Sequence, residues 1–189
     1  MKSFLSIPNQ LTFLRMFLVP LFVTALIYRK WKLSFAVFLV AAATDAMDGF
    51  LARKLNQKTS LGKVIDPLAD KVMMVSAFIA LSELGVMPAW LTVVVVSRDA
   101  LLVGGVIILK LFSIDGVEIE PSKVGKATTF FQVLAVSVSI LSKIFEKKMK
   151  VVLLPVYVLT FSFTVLSGVQ YFSRGLSSIY QDGGQNNIR

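Results

Sequence analysis

Six apolar stretches, separated by short polar links, constrain the fold of this chain more than any other feature. They cover residues 11–28, 33–51, 65–84, 89–112, 127–144 and 151–172. Each has about the 17 to 25 residues that an α-helix needs to cross a bilayer. Short links favour neighbouring antiparallel helices. The sequence therefore predicts an all-α polytopic membrane protein, with six transmembrane helices in one bundle and a short N-terminal juxtamembrane segment.

The same pattern predicts a single membrane domain over residues 1–180. The remaining segment, QDGGQNNIR at residues 181–189, is polar and rich in Gly and Asn, so we expect a flexible tail there. Residues 1–8 hold one lysine and no small-residue cleavage site, so the first apolar stretch is interpreted as a retained helix rather than a secretory signal.

Composition narrows the chemistry that the chain can perform. The sequence has no Cys and no His, so carboxylates, lysines, arginines and hydroxyls must do any work at a site. The net charge is +9, but the basic residues form short clusters between apolar stretches. This arrangement favours lipid headgroups or an anionic substrate at the membrane surface over nucleic acid. An N-terminus on the cytoplasmic side places more Lys and Arg residues inside, as the positive-inside rule requires.

One window, residues 45–70, holds four aspartates in a chain that is otherwise mostly apolar. Asp45 and Asp48 are three apart and Asp66 and Asp70 four apart, so each pair shares a helix face. A turn at residues 55–61 would let the two pairs face each other at the membrane surface. The window therefore predicts a helical hairpin with clustered carboxylates.

Clustered carboxylates in a partly dehydrated site repel one another unless a cation balances them. Oxygen ligands without His or Cys favour Mg²⁺ or Mn²⁺, which keep positions open for phosphate oxygens. Gly49 and Ala52 leave room beside the acids, and Arg53 suits a phosphate. The simpler alternative, in which Asp66 before Pro67 is a helix cap, leaves the other three aspartates unexplained.

The spacing Asp45-x2-Asp48-Gly49-x2-Ala52-Arg53-x8-Gly62-x3-Asp66-x3-Asp70 resembles the signature of the CDP-alcohol phosphotransferases. The stretch at residues 7–12 with Arg15 is similar to the opening of bacterial phosphatidylglycerophosphate synthases, and the run at residues 166–171 is similar to their last helix. The resemblance covers nearly the whole chain.

The resemblance implies a six-helix enzyme, usually homodimeric, in a bacterial-type inner membrane with its active site facing the cytoplasm. CDP-diacylglycerol would donate its phosphatidyl group to an alcohol, and CMP would leave. The four aspartates would hold two divalent cations, with Asp70 also the base. The residues implied around the CDP donor are Gly49, Ala52, Arg53, Thr59, Gly62, Asn9 and Thr12.

The acceptor site is expected near the fourth apolar stretch, where Arg98 and Asp99 are two adjacent charges. They either form a structural ion pair, or Arg98 joins Lys126, Lys123 and Arg174 in a basic pocket for a phosphorylated acceptor. The Arg98–Asp99 pair, and the pattern from Pro121 onwards, are more similar to eukaryotic-type cardiolipin synthases than to phosphatidylglycerophosphate synthases.

The resemblance thus predicts phosphatidyl transfer to sn-glycerol 3-phosphate, giving phosphatidylglycerophosphate and CMP. The alternatives are a cardiolipin synthase with phosphatidylglycerol as acceptor and another CDP-alcohol phosphatidyltransferase. Outside this class, a cation transporter would also place acids in membrane helices, although transporters seldom gather four acids beside a Gly, an Ala and an Arg.

Overall fold

The computed structural model describes the backbone of residues 7–55, 62–111, 123–145 and 150–185. Within these, it describes the side chains of residues 14, 16–44, 71–105, 123–145 and 151–173. The described chain is all-helical, which confirms the predicted fold class at that level. Its helices are α1 (Ile7–Ile27), α2 (Trp31–Leu55), α3 (Gly62–Glu83), α4 (Ala89–Leu111), α5 (Lys123–Ile144) and α6 (Lys150–Gln185).

Several helices extend beyond the apolar stretches that predict them. Helix α1 begins four residues before residue 11, α5 begins four residues before residue 127, and α6 continues to Gln185. Hydropathy detects only the part of a helix that matches the hydrocarbon core, whereas backbone hydrogen bonds continue into polar residues at the membrane surface. The extensions matter here because they turn expected link residues, such as Arg53, Gly62 and Lys126, into helical positions.

Two segments of the described chain, Lys123–Ile144 and Val151–Ser173, are long and apolar enough to cross a membrane. The apolar parts of α1 and α2 within the described side chains, Met16–Ile27 and Trp31–Thr44, are shorter. Along α6, large apolar side chains such as Val151, Leu154 and Phe172 are exposed. Exposed apolar side chains on a spanning helix are expected where lipid is the solvent.

The chain divides into two compact units. The first contains α1, α2, α3, the part of α5 from Val136 onwards and the beginning of α6 up to Leu153. Helix α1 packs against both α2 and α3. Phe22 of α1 and Phe38 of α2 are almost fully buried, with their ring centroids 5.7 Å apart. Burial of two such rings stabilises the α1–α2 pair by several kcal/mol, on the order of 2 kcal/mol for each ring.

The links that follow α1 and α3 are tight turns. After α1, Lys30 donates its backbone N–H to the Ala25 carbonyl oxygen at 2.9 Å, and Arg29 adopts a φ of 53°. After α3, Val86 donates to the Leu81 carbonyl oxygen at 2.9 Å, and Gly85 has a φ of 66°. Both are helix ends of the Schellman type, which place one residue in the left-handed region. Two helices can therefore follow one another with few intervening residues.

The second unit contains α4, the part of α5 up to Ala135, and α6 from Leu154 onwards. Its buried side chains are unusually polar. Apart from the ion pair described below, the buried polar residues among the described side chains of this unit are Thr92, Thr128, Gln132, Thr160, Thr164 and Ser167. Threonines that bond to backbone oxygens fit inside a membrane protein because they satisfy their own hydroxyls.

Candidate active site

The eight signature positions all lie on two helices of the first unit. Helix α2 carries Asp45, Asp48, Gly49, Ala52 and Arg53, and α3 carries Gly62, Asp66 and Asp70. The side chains of residues 45–70 are outside those that the structure describes. That the two aspartate pairs face each other therefore stays a prediction, while the helical spacing within each pair follows from the backbone.

The helix boundaries bear on the capping alternative. Helix α3 begins at Gly62, so Asp66 is the fifth helical residue and Pro67 the sixth. An N-cap residue precedes the first helical turn and has non-helical backbone angles. A capping role for Asp66 does not fit this position.

The other residues expected around the CDP donor are divided between described and undescribed parts of the chain. Asn9 and Thr12 lie in the first two turns of α1, Asn9 in the part that precedes the apolar stretch and Thr12 just inside that stretch. Their side chains, and the whole of Thr59, lie outside the described residues. Their contact with the donor stays a prediction.

Arg98 and Asp99 of α4 form a buried ion pair in the second unit. The Nη1 of Arg98 lies 2.7 Å from the Oδ1 of Asp99, and the two residues are 7% and 3% exposed. The Nη2 of Arg98 donates a hydrogen bond to the hydroxyl of Ser167 on α6. A buried charge needs such partners, because an uncompensated one would cost several kcal/mol.

Arg98 is held along its length but is not saturated with partners. Its Cγ lies 3.8 Å from the position that a Cβ would occupy at Gly168, so the aliphatic part of the side chain packs against α6. Its Nε is buried, and no group in the described part of the chain accepts a hydrogen bond from it. A buried, charged donor without a partner suits a site that is completed by a ligand.

Two contacts fix the register between α5 and α6. The Thr128 hydroxyl donates to the Phe163 carbonyl oxygen at 2.9 Å, and the Thr160 hydroxyl donates to the Phe131 carbonyl oxygen at 3.1 Å. The helices are therefore antiparallel: three residues forward on α5 correspond to three residues back on α6.

The register places the predicted basic residues at one level. Ser167 lies four residues beyond Phe163, about 6 Å along α6, which is the level of Val124 on α5. Lys123 and Lys126 are in the first turn of α5, at that level, and both side chains are exposed. Through its bond to Ser167, Arg98 is thus at the level of Lys123 and Lys126. Arg174 follows on α6, with its side chain outside the described ones.

Gln132 is a buried polar residue that sequence reasoning did not single out as a site. It lies one turn after Thr128 on α5 and is fully buried. Neither its Nε2 nor its Oε1 has a hydrogen-bond partner among the described residues. Burying an amide without partners costs about 1–3 kcal/mol by mutational measures.

Gln132→Met is therefore expected to stabilise the protein by about 1–3 kcal/mol, because an apolar side chain of similar volume removes the unsatisfied amide.

Thr128→Val should have the opposite effect, a loss of about 1 kcal/mol, because it deletes a hydroxyl that bonds across to α6. Unfolding of the purified protein in detergent, followed by circular dichroism, measures both. A destabilising Gln132→Met would show that the amide has partners.

Comparison with known proteins identifies the family. The model of the CDP-alcohol phosphatidyltransferase family matches residues 5–166. The chain belongs to this family. The match includes all eight signature positions, and it confirms the resemblance on which the sequence interpretation rests. CDP-alcohol phosphatidyltransferases are membrane enzymes that generally use divalent metal ions, so this chain is an integral membrane protein with the fold elements of such an enzyme.

Individual relatives match the chain over most of its length. A probable phosphatidylglycerophosphate synthase of Mycobacterium tuberculosis is 36% identical over 92% of this chain and 83% of its own. A CDP-diacylglycerol–glycerol-3-phosphate 3-phosphatidyltransferase of Bacillus subtilis is 33% identical over 92% of this chain and 97% of its own. A CMP-forming cardiolipin synthase of Homo sapiens is 26% identical over 92% of this chain and 63% of its own.

Proposed function

We propose that this CDP-alcohol phosphatidyltransferase transfers the phosphatidyl group of CDP-diacylglycerol to sn-glycerol 3-phosphate, giving phosphatidylglycerophosphate and CMP. One observation carries the choice of acceptor. Two bacterial relatives named for this reaction are 36% and 33% identical to the chain and are covered over 83% and 97% of their length, whereas the human cardiolipin synthase is 26% identical and covered over 63%.

On the donor side, Asp45, Asp48, Asp66 and Asp70 are the proposed ligands of two divalent cations, Mg²⁺ or Mn²⁺. The donor set supports this: the acids are spaced to share helix faces on α2 and α3, and the whole chain has no Cys or His to favour a softer metal. When bound, such ions would balance the charge of the pyrophosphate and of the departing CMP. Arg53, Gly49, Ala52, Thr59 and Gly62, with Asn9 and Thr12, are proposed to line the nucleotide.

The proposed reaction is a single displacement at the phosphorus of the phosphatidyl group. The acceptor hydroxyl oxygen forms the new bond to phosphorus, and the bond from that phosphorus to the oxygen of CMP breaks. A carboxylate oxygen of Asp70 takes the hydroxyl proton as the new bond forms. Neither imidazole nor thiol is required, which agrees with a chain that has neither.

On the acceptor side, Arg98 is the proposed anchor for the phosphate of sn-glycerol 3-phosphate, together with Lys126, Lys123 and Arg174. Two facts support it: the Nε of Arg98 is a buried donor with no partner among the described residues, and the first turn of α5 brings two lysines to the same level. Guanidinium groups bind phosphate oxygens through several donors at once. The structural alternative, a pure Arg98–Asp99 ion pair, leaves that Nε unexplained.

The membrane arrangement is part of the proposal. We place six transmembrane helices in one bundle, with both termini and the aspartate window on the cytoplasmic side of an inner membrane. The distribution of Lys and Arg over the links supports this orientation. A homodimer in the plane of the membrane is proposed from the resemblance alone.

An acceptor panel tests the proposed function. Purified protein in detergent with CDP-diacylglycerol and Mg²⁺ is offered sn-glycerol 3-phosphate, phosphatidylglycerol, inositol or serine, and both CMP and the lipid product are measured. We expect CMP release and a lipid product with sn-glycerol 3-phosphate. A reaction without acceptor controls for hydrolysis of the donor.

Cardiolipin synthesis is the second candidate, because the adjacent Arg98–Asp99 pair is similar to that of eukaryotic-type cardiolipin synthases and such enzymes are among the relatives. If phosphatidylglycerol is the only acceptor in the panel that gives a lipid product, the protein is a cardiolipin synthase and our choice of acceptor is wrong. Metal-dependent release of CMP with any acceptor excludes a pure cation transporter.

A further inference from the structure

Ser167 of α6 forms a hydrogen bond with the guanidinium of Arg98. Ser167 belongs neither to the signature nor to the proposed acceptor residues. Its side chain is fully buried, and its hydroxyl accepts a hydrogen bond from the Nη2 of Arg98. The next residue, Gly168, packs against the Cγ of Arg98. The aliphatic part and the guanidinium of Arg98 therefore both contact the same turn of α6.

The two partners of the guanidinium differ in what they restrain. Asp99 is the next residue on α4, so its ion pair with Arg98 joins two side chains of the same helix. Ser167 is the one hydrogen-bond partner that the described residues provide from a different helix. An arginine side chain has several rotatable bonds, and its orientation has to be fixed for planar recognition of a phosphate.

The chemistry of the contact separates orientation from charge. A serine hydroxyl is neutral, so it orients the guanidinium without reducing the charge that attracts an anion. Asp99 balances that charge while the site holds no substrate, which lowers the cost of burying it. A hydroxyl at position 167 is therefore suited to aim Arg98 rather than to neutralise it.

We infer that Ser167 is a positioning residue for the acceptor: its hydroxyl holds the Arg98 guanidinium at the level of Lys123 and Lys126, where the phosphate of the acceptor alcohol binds. The inference rests on the proposed function of Arg98. It deepens that function by assigning acceptor affinity to a contact between α4 and α6.

Ser167→Ala tests the inference. The hydrogen bond to a charged group is lost, so the KM for sn-glycerol 3-phosphate should rise roughly tenfold or more, while kcat and the KM for CDP-diacylglycerol stay near their wild-type values. Ser167→Thr keeps the hydroxyl and should return the acceptor KM towards wild type. The matched control is Thr164→Val, because Thr164 is a fully buried residue of the same helix whose hydroxyl bonds to the Thr160 carbonyl oxygen rather than to Arg98.

A double-mutant cycle shows whether Ser167 acts through Arg98. In an Arg98→Lys background, Ser167→Ala should add little to the acceptor KM, because the group it orients is gone. Full additivity of the two substitutions would overturn the inference. So would a Ser167→Ala variant that is unstable in detergent, or whose KM values for both substrates rise together, since either result assigns Ser167 a structural role.

The proposed function and the inference fail in different ways. If Arg98→Lys raises the acceptor KM but Ser167→Ala does not, the acceptor site stands and the positioning role is wrong. If Arg98→Lys itself leaves the acceptor KM unchanged, the assignment of Arg98 to the acceptor fails, and the inference about Ser167 fails with it.

Discussion

Asp70→Asn is expected to reduce CMP release by about a thousandfold or more in protein that remains folded. Asparagine keeps the size of the side chain but cannot take a proton from the acceptor hydroxyl, and general-base catalysis alone contributes about 10²- to 10⁴-fold. It also removes one negative charge from the proposed ion site. The measurement is the initial rate of CMP formation from CDP-diacylglycerol and sn-glycerol 3-phosphate at saturating Mg²⁺.

The matched control for Asp70 is Glu83→Gln. Glu83 lies at the other end of the same helix, α3, and its side chain is exposed, so its neutralisation should leave the rate near wild type. Thermal unfolding in detergent confirms that both variants are folded. Undiminished CMP release by folded Asp70→Asn would remove Asp70 from the proposed chemistry.

Chelation of divalent ions is expected to stop CMP release, with a loss of at least about a hundredfold, and either Mg²⁺ or Mn²⁺ should restore it. If the aspartates at positions 45, 48, 66 and 70 cluster as proposed, they repel one another without a cation. Chelated protein should therefore also unfold at a lower temperature than protein with saturating Mg²⁺, because an ion that binds only the folded state stabilises it.

A binding measurement distinguishes the ion site from a metal requirement of the substrate. Mn²⁺ is titrated into chelator-treated protein without CDP-diacylglycerol, and the heat of binding is measured. The affinity for Mn²⁺ should be lower for Asp48→Asn than for wild type or Glu83→Gln. Equal Mn²⁺ affinity in all three proteins would refute the assignment of Asp48 as a ligand, and full activity in chelator would refute the ion site as a whole.

Hydropathy and spacing were sufficient to predict much of this molecule. The all-α class and the family follow from the apolar stretches and from the eight-position signature, because a membrane helix needs a long apolar run and a signature needs only residue order. The placement of Asp45 and Asp48 on one helix, and of Asp66 and Asp70 on the next, was also predictable, since both pairs have helical spacing.

The helix ends and the polar interior of the second unit were not predictable in the same way. Gly62, Lys123 and Asn9 are helical although they lie outside the apolar runs, because a helix continues wherever its backbone hydrogen bonds can form. The contact between Arg98 and Ser167 joins residues far apart in sequence. Which polar residues lie at the same height along the helix axes depends on the register of α5 against α6, which the bonds of Thr128 and Thr160 set.

Gln132 shows a different limit. A glutamine in an apolar helix is visible in the sequence, but whether its amide has partners depends on what surrounds it in three dimensions. The sequence does show that Gln132 lies four residues after Thr128, which places both side chains on one face of α5.

The division of the chain into two units has an evolutionary consequence. The signature proposed to bind the donor lies on α2 and α3, whereas the proposed acceptor residues Arg98, Lys123 and Lys126 lie on α4 and α5 in the other unit. If donor and acceptor bind as proposed, mutations that change which alcohol is accepted can accumulate in one stretch of the gene without disturbing the donor signature encoded in another. Descent with such separable changes is one way for a single ancestral transferase to give rise to enzymes named for different lipid products, as the relatives of this chain are.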